Sequence, residues 1–126
     1  MPRLAGVHGL NVTLGGWLGA RAERNEAEIK RLIEVYRENH RQVVRVLVGN
    51  EAVLREDLTV EQLIDHIRTV KRSVWAPVSS AEPWHVWLEH PELSFYIHRS
   101  FSILVLGVNL YLFYIHRNMR LQFHKM

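Results

Sequence analysis

Apolar and polar positions along the first part of this chain follow two alternating periods. The stretch LNVTL (10–14) is short, apolar and bounded by glycines, which predicts a strand. Asn25 and Glu28 are spaced as a capping pair, and Ile29, Leu32, Ile33 and Tyr36 then recur at the interval of one helix face. Residues 43–48 hold four valines and a leucine in six positions, the pattern of a buried parallel strand. Thr59 and Gln62 form a second candidate capping box, ahead of a helical stripe of Val60, Leu63, Ile64, Ile67 and Val74. Pro77 cannot donate to a central ladder, so the strand near APVSS (76–80) is expected to begin at or after it. The predicted order is β-α-β-α-β, which favours a parallel sheet with right-handed crossovers.

Such folds gather their chemistry at the carboxyl ends of the strands. Gly15-Gly16-Trp17, Gly49-Asn50-Glu51 and Ser79-Ser80-Ala81-Glu82 would then share one side of the molecule. The run VVRVLVGNEA (43–52) stops abruptly at a glycine, an amide and a carboxylate. Glu51 is therefore a candidate active-site acid, with a solvated loop carboxylate as the simpler reading.

Composition narrows the classes. The chain has 126 residues, 48% hydrophobic and 23% charged, enough for one modest globular core. It has no cysteine, which excludes a disulfide scaffold and thiolate metal sites. The formal charge of +3 is unevenly spread: residues 94–126 carry Arg99, Arg117, Arg120 and Lys125 with no acid, leaving −1 for the first 93 residues. The folded part thus lacks the basic surface that nucleic acid would need. No apolar h-region follows Met1, so no secretory signal is visible.

The stretches HGLNVTLGGWLGARAERNEAEIKRLIE, VVRVLVGNEAVLREDLTVEQLIDHIRTVK and PVSSAEPWHVWLEHPEL together resemble the middle of a glycoside hydrolase family 17 domain. The bacterial β-1,3-glucan hydrolase and transglycosylase branch is the nearest likeness, over roughly residues 3–93. The resemblance implies an α/β fold, a partial (β/α)8 TIM-barrel segment holding strands three to five. It also implies retaining hydrolysis or transfer on β-1,3-glucan, with no metal or organic cofactor. Glu51 would be the general acid/base, which protonates the leaving oxygen and then deprotonates the incoming water or sugar. Asn50 would contact the sugar 2-hydroxyl. β-Glucan or an oligosaccharide is the implied ligand, and an extracytoplasmic or membrane-linked location is the implied setting.

A retaining glycosidase needs a second carboxylate about 5–5.5 Å from the first. The family's Gly-Glu-Thr-Gly-Trp-like nucleophile motif does not occur in this sequence, which has half the roughly 250 residues of a typical barrel. The chain is therefore expected to be inactive alone. Glu82 is the best internal stand-in, although lining the sugar cleft suits it better; Glu56 and Asp57 read as loop charges. Trp17, after two glycines, is a candidate for stacking on sugar. Trp84 divides evenly between stacking and packing, while Trp87 at helical spacing favours packing. His85 and His90 lack the spacing of a metal pair, and His66 falls on the polar side of its helix.

After residue 93 the family pattern ends, dividing the chain into 1–93 and a tail of different composition, 94–126. All four tryptophans precede this boundary and all four phenylalanines follow it. Residues 101–115, FSILVLGVNLYLFYI, are nearly all apolar. As a helix they would span about 22 Å, short of a hydrocarbon core of about 30 Å. Membrane contact, a buried helix, a strand pair and frameshifted translation all remain compatible with this stretch. An exposed apolar tail would also favour self-association.

Overall fold

The computed structural model describes residues 2–97. A short helix, α1 (Pro2–Val7), leads into β1 (Val12–Gly16), α2 (Ala22–Asn39), β2 (Val43–Asn50), α3 (Val60–Lys71), β3 (Val78–Ala81) and α4 (Trp84–Glu89), and a 3₁₀ turn follows at Pro91–Phe95. The strands lie in the order β1-β2-β3, and both pairings are parallel.

This is the β-α-β-α-β core that the periodicity predicts, but the partial (β/α)8 TIM barrel is corrected. The sheet is open, and β1 and β3 each pair only with β2 among the described residues. Neighbouring strands stand about 4.8 Å apart. Three of them put the two edges about 10 Å from each other, and no tilt or stagger can join edges across so narrow a ribbon. One face of the sheet is covered by α2 and α3. On β1 and β2 the other face presents Thr13, Gly15 and Arg45 to solvent, with Leu47 half-buried.

Alternation along the strands builds the covered face. Val46 and Val48 of β2 are fully buried, and Val43 and Val78 nearly so. They meet Ile29, Leu32, Ile33 and Tyr36 from α2 and Val60, Leu63, Ile64, Ile67 and Val70 from α3. Each such side chain contributes about 1.5–3 kcal/mol on leaving water, so this layer supplies most of the driving force. Gly16 permits the close approach of α2, since a Cβ there would stand 3.1 Å from Leu32 Cδ2. Val86, Trp87, Leu93 and Ile97 extend the same core past β3.

The two candidate capping pairs behave differently. Thr59 caps α3 in a reciprocal box, accepting from Gln62 N–H at 3.2 Å while its own N–H donates to Gln62 Oε1 at 2.9 Å. Asn25 is not an N-cap. It lies one turn inside α2, buried, and clamps the peptide of Gly19: Oδ1 accepts from Gly19 N–H at 2.9 Å and Nδ2 donates to Gly19 O at 2.7 Å. The helix instead begins at Ala22, with Arg21 at its N-cap and no side-chain cap.

The expected membrane-linked location is also corrected: among the described residues no helix is long and apolar enough to cross a membrane. The apolar stretch 101–115 lies outside the described residues, as does nearly all of the tail.

Candidate functional site

The carboxyl ends of the three strands carry the residues singled out from sequence. At the end of β2, Gly49 adopts φ +78°, a left-handed conformation natural to glycine, and Glu51 follows with φ 54°. A left-handed backbone is costly for a residue with a Cβ, so its surroundings must hold it. The Glu51 N–H donates to Ala81 O at 2.8 Å, and the Glu51 carbonyl accepts from Arg55 N–H at 2.9 Å. The backbone of residue 51 is thereby tied to β3 on one side and to the turn at 51–55 on the other. Both Asn50 and Glu51 are exposed. Among the described residues, no hydrogen bond or ion pair engages the Glu51 carboxylate.

Arg55 joins this corner to the end of β1. Its guanidinium donates through Nη2 to Leu18 O at 2.8 Å, through Nη1 to Asn50 O, and through Nε to Asp57 Oδ2 at 2.8 Å. The same group lies 4.4 Å from the centroid of the Trp17 ring. Trp17 is 61% exposed, and its N–H donates to Glu28 Oε1 at 3.2 Å. Nothing in the periodicity marks Arg55 as the residue that binds the two strand ends together. Its position four residues after Glu51, opposite Asp57, is the only hint.

Glu82 has a different place from the cleft-lining one expected. It is buried, with Oε1 accepting from Val53 N–H at 3.1 Å and Oε2 from Leu54 N–H at 3.4 Å. Its carbonyl accepts from Trp87 Nε1 at 2.9 Å. Both carboxylate oxygens thus serve the loop after β2, and the side chain does not face solvent beside Glu51. Trp87 is buried against the core, as its helical spacing suggests. Trp84 is half-buried, and its indole meets the His85 ring edge-on at 5.7 Å.

The structure therefore brings Trp17, Asn50 and Glu51 to one end of the sheet, linked through Arg55, and turns Glu82 inward. Among the described residues, surface cavities of about 360, 490 and 560 Å³ are lined by residues of α1, β1, α2, α3 and their flanks, and Glu51 borders none of these three. Glu56 also has a left-handed backbone, φ 59°, in the exposed turn after Arg55. Asp57 is the ion-pair partner of Arg55. His90 Nδ1 lies 3.3 Å from Glu92 Oε1 at the surface. His66 is half-buried in the groove between α2 and α3, and burial holds its pKa below the ordinary value against the opposing pull of Asp65 and Glu26. Comparison with protein-family models, with curated proteins and with solved structures gives no match.

Proposed function

We propose that this chain carries the acid/base half of a β-1,3-glucan site of the retaining hydrolase or transglycosylase kind, with Glu51 as the general acid/base. The barrel is no part of the proposal. Its support is one observation: an exposed carboxylate stands at the carboxyl end of the central strand, on a left-handed backbone fixed by Ala81 O and Arg55 N–H. Strain of this kind is retained where the position of a side chain matters more than its cost. Asn50 would meet the sugar 2-hydroxyl, and the exposed Trp17 face would stack on the sugar's C–H surface.

The second carboxylate that retention requires is not supplied by Glu82, whose oxygens are held by Val53 and Leu54 N–H. The chain alone is expected to bind glucan without cleaving it. That inward placement also favours a second reading, a noncatalytic carbohydrate-binding protein.

An α-laminaribiosyl fluoride separates the two. It has the anomeric configuration of the glycosyl-enzyme intermediate, so it bypasses the missing nucleophile. Glu51 would take the proton of an acceptor sugar hydroxyl as that oxygen bonds to the anomeric carbon and fluoride leaves. Expected results are shifts at the Trp17 indole and Asn50 amide in an NMR titration, transfer product with the wild-type chain, and binding without product in Glu51→Gln. Binding without transfer in either chain selects the noncatalytic reading. Absence of binding at this corner rejects both.

A further inference from the structure

At the opposite end of the sheet from Glu51, a surface cavity of about 490 Å³ is lined by Tyr36, Arg37, His40, Arg72, Ser73 and Trp75. We propose that it binds a small organic phosphate with a flat body, of the aryl phosphate class. The inference is independent of the glucan reading.

Two features point to this ligand. The first is an indole that is open to solvent on a fixed backbone, with the His40 ring against it. Trp75 is 90% exposed, and its backbone is fixed: the main-chain N–H groups of Trp75 and Ala76 donate to the buried Tyr36 Oη at 3.2 and 3.1 Å. The His40 ring packs against the indole at 6.4 Å between centroids and 83° between planes. A flat apolar surface of this size is costly to leave in water and suits stacking of a planar group.

The second is charge. Arg37 and Arg72 border the cavity, no carboxylate lines it, and neither guanidinium forms an ion pair among the described residues. The carboxyl ends of α2 and α3 lie here, each equivalent to about half a negative charge. Part of that is already answered, since Asn39 Nδ2 donates to Val35 O at 2.8 Å and His40 Nδ1 lies 3.2 Å from Arg37 O. Two full positive charges against two half charges favour an anion here, with Arg37 also bordering the groove that holds Glu26, Glu34 and Asp65. Helix-end complementation accounts for a basic residue at each terminus; it does not account for the open indole between them. Ser73 Oγ donates to Thr69 O at 3.3 Å, so the guanidiniums would supply the donors to the phosphate. A cationic ligand would be repelled, and a neutral sugar would leave both charges without a use.

The test is an NMR titration of the full chain with phenyl phosphate, with inorganic phosphate and benzyl alcohol as the separate halves of the ligand. The expected result is saturable movement of the Trp75 indole N–H signal by phenyl phosphate. Inorganic phosphate should bind about tenfold more weakly, and benzyl alcohol should have no effect at the same concentrations. Arg37→Gln and Arg72→Gln should each weaken phenyl phosphate at least tenfold, and Trp75→Ala should make the two phosphates equivalent. Both arginines are exposed, and the dispersed amide spectrum of each variant serves as its folding control. No movement at Trp75, or movement that persists unchanged in both arginine variants, overturns the proposal. Equal binding of the two phosphates to the wild-type chain also overturns it, because the indole would then contribute nothing.

Discussion

The Arg55 guanidinium lies over the Trp17 ring, 4.4 Å from its centroid, and so ties the end of β1 to the turn after β2. The stack is one of four interactions, the others being to Leu18 O, Asn50 O and Asp57. A planar fork can serve several acceptors at once, whereas an ammonium cannot keep their geometry. Arg55→Ala is expected to lower stability by about 2–3 kcal/mol, and Arg55→Lys by more than half of that. Urea denaturation would measure both. A loss below about 0.5 kcal/mol in the alanine variant would reduce the network to a surface ion pair.

Glu82 is expected to be sensitive to a change of one atom. Its carboxylate accepts from two backbone N–H groups, at 3.1 and 3.4 Å, and is 6% exposed. In Glu82→Gln the amide nitrogen cannot accept, so one N–H loses its partner, at about 1–3 kcal/mol. Hydrogen exchange should show the Val53 or Leu54 amide opening faster in the variant while amides of α2 keep their protection. Unchanged exchange at both would mean that water replaces the carboxylate without cost.

These two residues mark what sequence could and could not disclose. Strands and helices were legible because a central strand reads as a continuous apolar run, as in residues 43–48, and a helix buries one face at a repeating interval, as in Leu63, Ile64 and Ile67. Glu51 and Asn50 were legible as a strand end. Glu82 was assigned to the right strand end but to the wrong surroundings, since its partners, Val53 and Leu54, are 29 and 28 residues away. Local pattern says nothing of so distant a pair. Asn25 misled for a related reason: its spacing to Glu28 fits a capping box, yet its side chain closes on Gly19. The partial barrel was the largest error: it came from the family resemblance, and a β-α-β-α-β order is common to barrels and open sheets alike.

The capping box of α3 can be tested by a cycle. Thr59→Ala removes the acceptor for Gln62 N–H and should cost about 1 kcal/mol. Gln62→Ala removes the acceptor for Thr59 N–H and should cost about half as much. Because the two bonds form one reciprocal unit, the double variant should lose less than the sum of the single losses. Strict additivity in thermal denaturation would show that the bonds act separately.

His66 gives the fold a dependence on pH. Its pKa is lowered from 6.5, first by burial, with Asp65 and Glu26 opposing. Lys30, Glu34 and Arg37 also line this groove. Well above pH 6.5 the ring is neutral in both states and contributes no slope. As pH falls through 6.5 the unfolded chain takes up the proton first, so stability declines until the lowered folded pKa is passed, and then levels. Urea midpoints measured between about pH 7.5 and 4.5 should therefore diverge, with the wild type falling relative to His66→Gln. Parallel profiles would show that the ring is solvated in the folded chain.

Glu51 and Glu56 share a left-handed backbone, with φ 54° and 59°, and both side chains are exposed. Glycine adopts this conformation without the penalty a Cβ brings, about 1–2 kcal/mol per residue, though it also gives the unfolded chain more freedom to lose. Replacement of either residue by glycine is therefore expected to stabilise the chain by about 0.5–1 kcal/mol in urea denaturation. The functional outcome should differ. Glu56→Gly leaves the strand-end corner intact and should transfer laminaribiosyl fluoride at the wild-type rate. Glu51→Gly removes the group that accepts the acceptor's proton, and transfer should fall by about 100-fold or more. Stability gained together with activity lost at residue 51, and stability gained alone at residue 56, would mark the first as strain kept for chemistry. If Glu51→Gln, which keeps the backbone and side-chain length, destabilises the chain, the carboxylate has a structural partner, and its assignment as a proton-transfer group falls.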